Sequence, residues 1–269
     1  MTPVRDSLIC ALLLTASPAF AADSSQWAID IRAATRLISA TPANGASHLR
    51  AGVEFRMDPG WHTYWRYPGD SGVPPRFDFD ASDNVQAAKV LYPAPQAIVD
   101  ESGTSIGYPE HVIFPVEVTP RDPSKPVNLK VTVDYAVCQK LCVPGEASLE
   151  LTLGGKSDFD QSLKAAEASV PKIVTPQQAG LTAHRATGTS KPSVEFEVAD
   201  ANGKDTQIFV EGPTAEWALP IPKPLDGSKS RYSFVLDGLP PGTDPKAPLD
   251  LTFTIVGAGK AVQTKTHLD

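Results

Sequence analysis

The chain has 269 residues, 26 of them proline, and a formal net charge of −7. That acidic balance argues against nucleic acid or an anionic membrane surface as partner, and dispersed prolines disfavour long helices while suiting short strands joined by turns. The length is generous for one domain and comfortable for two, at roughly 100–200 residues each.

Residues 1–21 read as a secretory signal peptide. Arg5 gives a positive start, residues 8–14 (LICALLL) form an apolar run too short to cross a bilayer, and Ala19-Phe20-Ala21 is an A-x-A cleavage site. Removal after Ala21 takes Cys10 with it and leaves two cysteines, Cys138 and Cys142. They are then expected in the periplasm, where disulfides form and persist. No later stretch reaches the roughly 18 uninterrupted apolar residues of a membrane helix, so the mature chain is expected to be soluble.

Past the signal, residues 27–38 begin as a strand, with Trp27, Ile29 and Ile31 alternating against polar neighbours. Residues 48–57 alternate likewise, with Leu49, Ala51, Val53 and Phe55 on one side. Period-two patterns bury one face of an antiparallel sheet. Further strands are expected over residues 88–92, 112–118, 129–137 and 147–153, with turn-rich segments between them. This spacing predicts an all-β sandwich over residues 22–156. Residues 157–170 (SDFDQSLKAAEASV) predict a helix capped by Ser157 or Asp158, with Phe159, Leu163, Ala166 and Val170 on one face and Pro171 ending it. Residues 157–180 then read as a helical connector, and residues 181–269 as a second, smaller β-sandwich domain. That second domain has no cysteine, and the bland reading is a spacer or docking role.

The chemistry lies in YAVCQKLCVPG, residues 135–145. In an extended strand, Cys138 and Cys142 would sit about 13 Å apart at roughly 3.3 Å per residue, whereas a disulfide tolerates at most about 7 Å between Cα atoms. Pairing therefore needs a turn between them. The alternation of Leu129, Val131, Val133, Tyr135 and Val137 does stop at Cys138, and Pro144-Gly145 marks the return. As a staple, so short a loop contributes only about 2 kcal/mol in the chain-entropy model, against about 4.7 kcal/mol for a 100-residue loop. A turn does leave the bond open to an incoming thiolate. Redox exchange ranks first, a structural staple second, and a Cu(I) site on the Cys138 and Cys142 thiolates third, since soft sulfur suits that ion. The copper reading asks for a third ligand, with His62 and His111 as candidates. Lys140 is the one nearby cation, opposed by Asp134 and Glu146, so strongly acidified thiols are not expected. The aromatics Trp61, Tyr64, Trp65 and Tyr67 read as core packing rather than a cation cage.

The motifs GWHTYWRYPGDSGVPPRFDF (residues 60–79), YPAPQ (92–96), GYPEHVIFPVEV (107–118) and YAVCQKLCVPGEASL (135–149) together resemble the N-terminal periplasmic domain of the DsbD/ScsB thiol–disulfide interchange proteins. The likeness covers about residues 27–153, and two-domain N-terminal regions occur in the ScsB-like branch. The resemblance implies an immunoglobulin-like fold with Cys138 and Cys142 as its redox pair. Cys142 is then the sulfur that forms the mixed disulfide with clients. It implies a membrane-embedded thiol conduit as donor, periplasmic thioredoxin-fold proteins as clients, and no cofactor. The chain ends at Asp269 without the family's membrane domain, so the donor is expected to be encoded separately. The family's short cap loop falls on Asp100 and Glu101, with Ser102 where an aromatic is expected. Tyr108 or Ile106 is the substitute, and Tyr135 lies near the pair in sequence.

Overall fold

The structure, a computed structural model, describes residues 22–43, 45–69, 72–100, 103–201, 206–257 and 259–269. The expected signal peptide lies outside the described residues. The first half runs β1 (Ala28–Asp30), β2 (Ala33–Ser39), β3 (Leu49–Met57), β4 (His62–Gly69), β5 (Arg76–Asp78) and β6 (Val85–Val90). It continues with β7 (Gln96–Asp100), β8 (Gly103–Pro109), β9 (His111–Pro120), β10 (Val127–Cys138) and β11 (Cys142–Leu153). These strands form an immunoglobulin-like sandwich of two sheets. One has the order β1-β2-β3-β9-β6, and the other β11-β10-β4-β8-β7 with β5 beside β10.

Between the sheets, Phe114 meets the rings of Phe55 and Tyr108 edge-on at 5.6 and 5.2 Å, and Tyr135 meets Phe55 at 5.1 Å. Along β10 the expected alternation holds from Val127 to Asp134, then fails: Tyr135, Ala136, Val137 and Cys138 are all buried. The outer face of the sheet is covered at that end, where the site begins.

Two sequence expectations change. Ile29 and Ile31 are 83% and 65% exposed rather than buried. β1 is a short edge strand, the backbone turns at Arg32 (φ 84°), and Ala33, Thr35 and Leu37 of β2 fill the core instead. Trp27 lies instead beneath the guanidinium groups of Arg36 and Arg56, at 4.3 and 4.9 Å. The helix is shorter than expected. α1 spans Asp160–Ala168 with Phe159 at its N-cap. Ser157 Oγ accepts the Phe159 N–H, while Asp160 accepts from the Thr41 backbone. Leu163, fully buried, sits on Ile38 and Ile113 at the outer face of the first sheet. Arg50 closes this contact with paired bonds of 2.7 and 2.8 Å to Glu167.

A charge cluster lies on the same face. Glu54, 3% exposed, accepts hydrogen bonds from Arg36 (2.7 Å), Arg56 (3.2 Å) and His111 (3.0 Å). Burial alone would raise its pKa, but the bonds from His111 and Arg36 and the two arginine charges outweigh it and lower the pKa to about 2. A carboxylate depressed in the folded state stabilises the fold above its unfolded pKa, and that stability is lost as pH falls toward the folded value. Urea unfolding should therefore show up to about 3 kcal/mol lost between roughly pH 4.5 and 2. Glu54→Gln should remove that slope; an unchanged slope would assign the acid sensitivity elsewhere.

The second half contains β12 (Lys172–Ile173), β13 (Leu181–Arg185), β14 (Ser193–Val198) and β15 (Thr206–Glu211). β16 (Lys223–Pro224), β17 (Arg231–Val235), β18 (Leu249–Gly257) and β19 (Lys260–Leu268) complete it. Sheets β12-β19-β18-β15 and β13-β14-β17-β16 close over Phe196, Phe234 and Phe253. Apolar packing runs without a break from one sandwich into the other.

Candidate functional site

β10 and β11 form one hairpin paired in register from Val127↔Leu153 to Cys138↔Cys142. Antiparallel register thus sets the two cysteines directly opposite each other, with Cα atoms 4.1 Å apart and the sulfurs bonded. Gln139, Lys140 and Leu141 make the turn, tied by the Gln139 N–H to the Leu141 carbonyl at 3.3 Å. The two sulfurs occupy different environments: Cys138 is 3% exposed, while Cys142 is exposed. Cys142 is therefore the sulfur open to solvent, and Cys138 the enclosed one.

What buries Cys138 comes from β4, far away in sequence. Tyr64 and Ala136 pack with it as a small cluster on the outer face of the sheet. The Tyr64 hydroxyl donates to Cys138 Sγ at 2.8 Å and lies 3.4 Å from Cys142 Sγ. A thiolate released in a dry setting is costly unless a donor meets it, and Tyr64 is that donor. Its ring is pinned from above by Gly72 (φ 151°), where an added Cβ would lie 2.3 Å from the ring. From the side, the buried His62 ring meets Tyr64 edge-on at 5.3 Å, and His62 Nε2 lies 3.3 Å from Ser105 Oγ. Thr63 Oγ1 donates to the Ala136 carbonyl at 3.0 Å, locking β4 to β10.

His62, considered from sequence only as a third copper ligand, is the register partner of Cys138. His111 instead binds Glu54 on the other sheet. Among the described residues no group of three His, Cys, Asp or Glu side chains converges as a metal site. Tyr108 packs in the core, its hydroxyl donating to the Pro93 carbonyl at 2.8 Å. Tyr135 points to the face of β10 opposite Cys138, because three residues of strand reverse the side, and its hydroxyl reaches Asp30 at 3.3 Å. Burial, with the Asp30 charge beside it, pushes that hydroxyl above its ordinary pKa, so it stays a donor. The backbone of Asp100 pairs with Gly103 at the β7–β8 turn. The Asp100 side chain, Glu101 and Ser102 lie outside the described residues. Tyr64 is the residue that sequence reasoning treated as packing alone. Its signal was the alternation His62, Tyr64 in a strand pairing next to the cysteines, which only the register shows.

The turn beside Cys142 exposes Gln139, Lys140 and Leu141. Leu141 is 77% exposed. Further along β11, Ile29, Val73 and Pro144 line a groove of about 680 Å³ with Asp30, Asp134 and Glu146. The one helix among the described residues, α1, packs on β3 and β9 of the opposite sheet, so no helix N-terminus faces the sulfurs.

Comparison with known proteins agrees with this geometry. Residues 34–154 match the family model of the thiol:disulfide interchange protein DsbD, N-terminal region. No curated protein sequence matches the chain. Among solved structures, the N-terminal periplasmic domain of ScsB from Proteus mirabilis superposes with a TM-score of 0.72 at 21% identity. It covers 91% of this chain and 98% of that one, which extends the shared fold to both sandwiches. The C-terminal domain of the Streptococcus agalactiae AgI/II polypeptide BspA aligns at 8% identity over 86% of this chain and 98% of that one, with a TM-score of 0.16, too distant to bear on the fold. Over residues 34–154, the chain carries a domain of the DsbD N-terminal family of thiol:disulfide interchange proteins.

Proposed function

We propose that the chain is a periplasmic electron relay. It takes two electrons from a membrane-embedded thiol conduit and passes them to oxidised thioredoxin-fold proteins through Cys142. The observation that carries this reading is the asymmetry of the pair: an exposed Cys142 joined to a buried Cys138 that already has a hydrogen-bond donor. In the reduced protein the Cys142 thiolate attacks the client disulfide, one client sulfur leaves as thiolate, and a mixed disulfide forms. The Cys138 thiolate then attacks Cys142 Sγ, and the second client sulfur leaves with the bonding pair. The client gains two electrons, the Cys138–Cys142 bond is restored, and solvent protonates the client thiolates. Exposed Leu141 next to Cys142, with the groove that Ile29, Val73 and Pro144 line, suits docking of a protein rather than a small thiol.

Trapping tests the reading. Reduced Cys138→Ala, mixed with an oxidised periplasmic thioredoxin-fold protein, should accumulate a covalent adduct visible on a non-reducing gel and mapped to Cys142. Cys142→Ala should give none. Absence of adduct from both single-cysteine variants would end the relay reading.

A further inference from the structure

The segment that supplies Tyr64 also grips the second sandwich. β4 pairs with β8 up to Tyr64↔Gly107 and resumes at Gly69↔Ser105, with a register shift between. Irregularities of this kind re-aim side chains, and here the three residues after Tyr64 all turn to the other domain. Trp65, fully buried, lies 5.9 Å from the Phe209 ring. Arg66 donates to both Glu211 carboxylate oxygens at 2.9 and 2.7 Å and to Gln263 Oε1 at 2.8 Å. Its guanidinium also stacks over Trp65 at 4.2 Å. The Tyr67 hydroxyl donates to the Leu219 carbonyl at 2.8 Å. Phe209, Glu211, Leu219 and Gln263 all belong to the second half of the chain.

We propose that the second sandwich is a positioning element for the disulfide. By holding residues 65–67 it fixes the main chain at Tyr64, and with it the reach of the Tyr64 hydroxyl to Cys138 Sγ. This role rests on the exchange reading of the cysteine pair. A charge-assisted, two-pronged contact fixes direction as well as distance, and a hydrogen bond to a leaving sulfur weakens steeply once its alignment is lost. Gly72 and His62 confine the Tyr64 ring, and the Thr63 bond and the β4–β8 ladder hold the strand up to Tyr64. Beyond it, where the register shifts, the contacts of Trp65, Arg66 and Tyr67 hold the strand.

The test is a double-mutant cycle on the full chain, read by stopped-flow reduction with dithiothreitol. One dithiothreitol thiolate attacks Cys142 Sγ, forming a mixed disulfide, and the Cys138–Cys142 bond breaks. Cys138 leaves with the electron pair as a thiolate beside Tyr64. The second dithiothreitol thiolate then displaces Cys142, closing the oxidised ring, and solvent protonates the released thiolates. Glu211→Gln should slow the first step about 3- to 10-fold when Tyr64 is present, and by less than roughly twofold in a Tyr64→Phe background. Equal slowing in both backgrounds, or none with Tyr64 present, would overturn the proposal. The reductant is a small molecule, so this result stays readable even if no thioredoxin-fold protein is ever trapped. Thermal unfolding checks that each variant is folded. Should Glu211→Gln fail to fold, Gln263→Ala removes only the third bond to Arg66, and the same cycle is read there.

Discussion

Tyr64→Phe should slow attack on the Cys138–Cys142 disulfide by roughly 10- to 100-fold, with little change in thermal stability. The ring stays in place against Gly72 and His62, so packing is kept and only the hydroxyl is lost. In the step that matters, Cys138 leaves as a thiolate while 3% exposed, and water cannot reach it to replace the missing donor. A hydrogen bond to a charged group is worth about 1.5–3 kcal/mol, and each 1.4 kcal/mol or so of barrier is a factor of ten. The measurement is the second-order rate of reduction by dithiothreitol, followed through tryptophan fluorescence. A rate within about twofold of the parent would show that the 2.8 Å contact carries no part of the chemistry. Cys142, being exposed, has solvent as an alternative donor, so the effect should fall on loss of Cys138 as leaving group rather than on attack by Cys142.

Gly107→Ala should damage fold and site together. Gly107 is the register partner of Tyr64, and a Cβ built there would lie 2.0 Å from the Thr63 carbonyl oxygen and 3.0 Å from its carbon. Both contacts are main chain, so no side-chain rotation relieves them, and β8 must move away from β4. Overpacking of this kind costs about 3 kcal/mol, occasionally more. For a chain of this size that is a fall of roughly 6–12 °C in Tm. Because β4, the partner that the displaced β8 pulls away from, carries Tyr64, the dithiothreitol rate should fall along with the Tm. A variant that keeps the parental Tm would show that the β4–β8 pair has slack that the close approach does not suggest. Loss of stability with a parental rate would separate the ladder from the site.

These expectations turn on features of unequal visibility in the sequence. The redox pair was legible because its signal is local: a strand pattern that stops at Cys138, three residues, and a return at Pro144-Gly145. That pattern requires a hairpin, and a hairpin with in-register strands sets i and i+4 face to face. The strand content was legible for the same reason, since alternation over a few residues reports which face is buried. Where a second layer covers the outer face, alternation disappears and the signal is lost. β3 is buried on both faces from Ala51 to Phe55 because α1 lies on it. The end of β10 is buried on both faces because Tyr64 does the same. Ile29 and Ile31 gave a strand pattern with no core to receive it, since the chain turns away at Arg32.

The sequence by itself determined that two cysteines meet at an exposed turn of a β-sandwich, and its motifs pointed to a thiol–disulfide interchange domain. Tertiary structure alone decided which sulfur faces solvent and which has a donor. It also decided that His62 stands opposite Cys138, and that the second sandwich contacts β4 through Trp65, Arg66 and Tyr67. The physical reason is separation along the chain. Tyr64 precedes Cys138 by 74 residues, and Arg66 precedes Glu211 by 145. Over such distances residue type fixes what a side chain can bond to, and only strand register and the packing of one domain on the other fix what it does bond to. The Cys138–Cys142 pair is written in one short stretch of sequence, while its asymmetry is assembled from β4, the loop at Gly72 and the shared core of the two sandwiches.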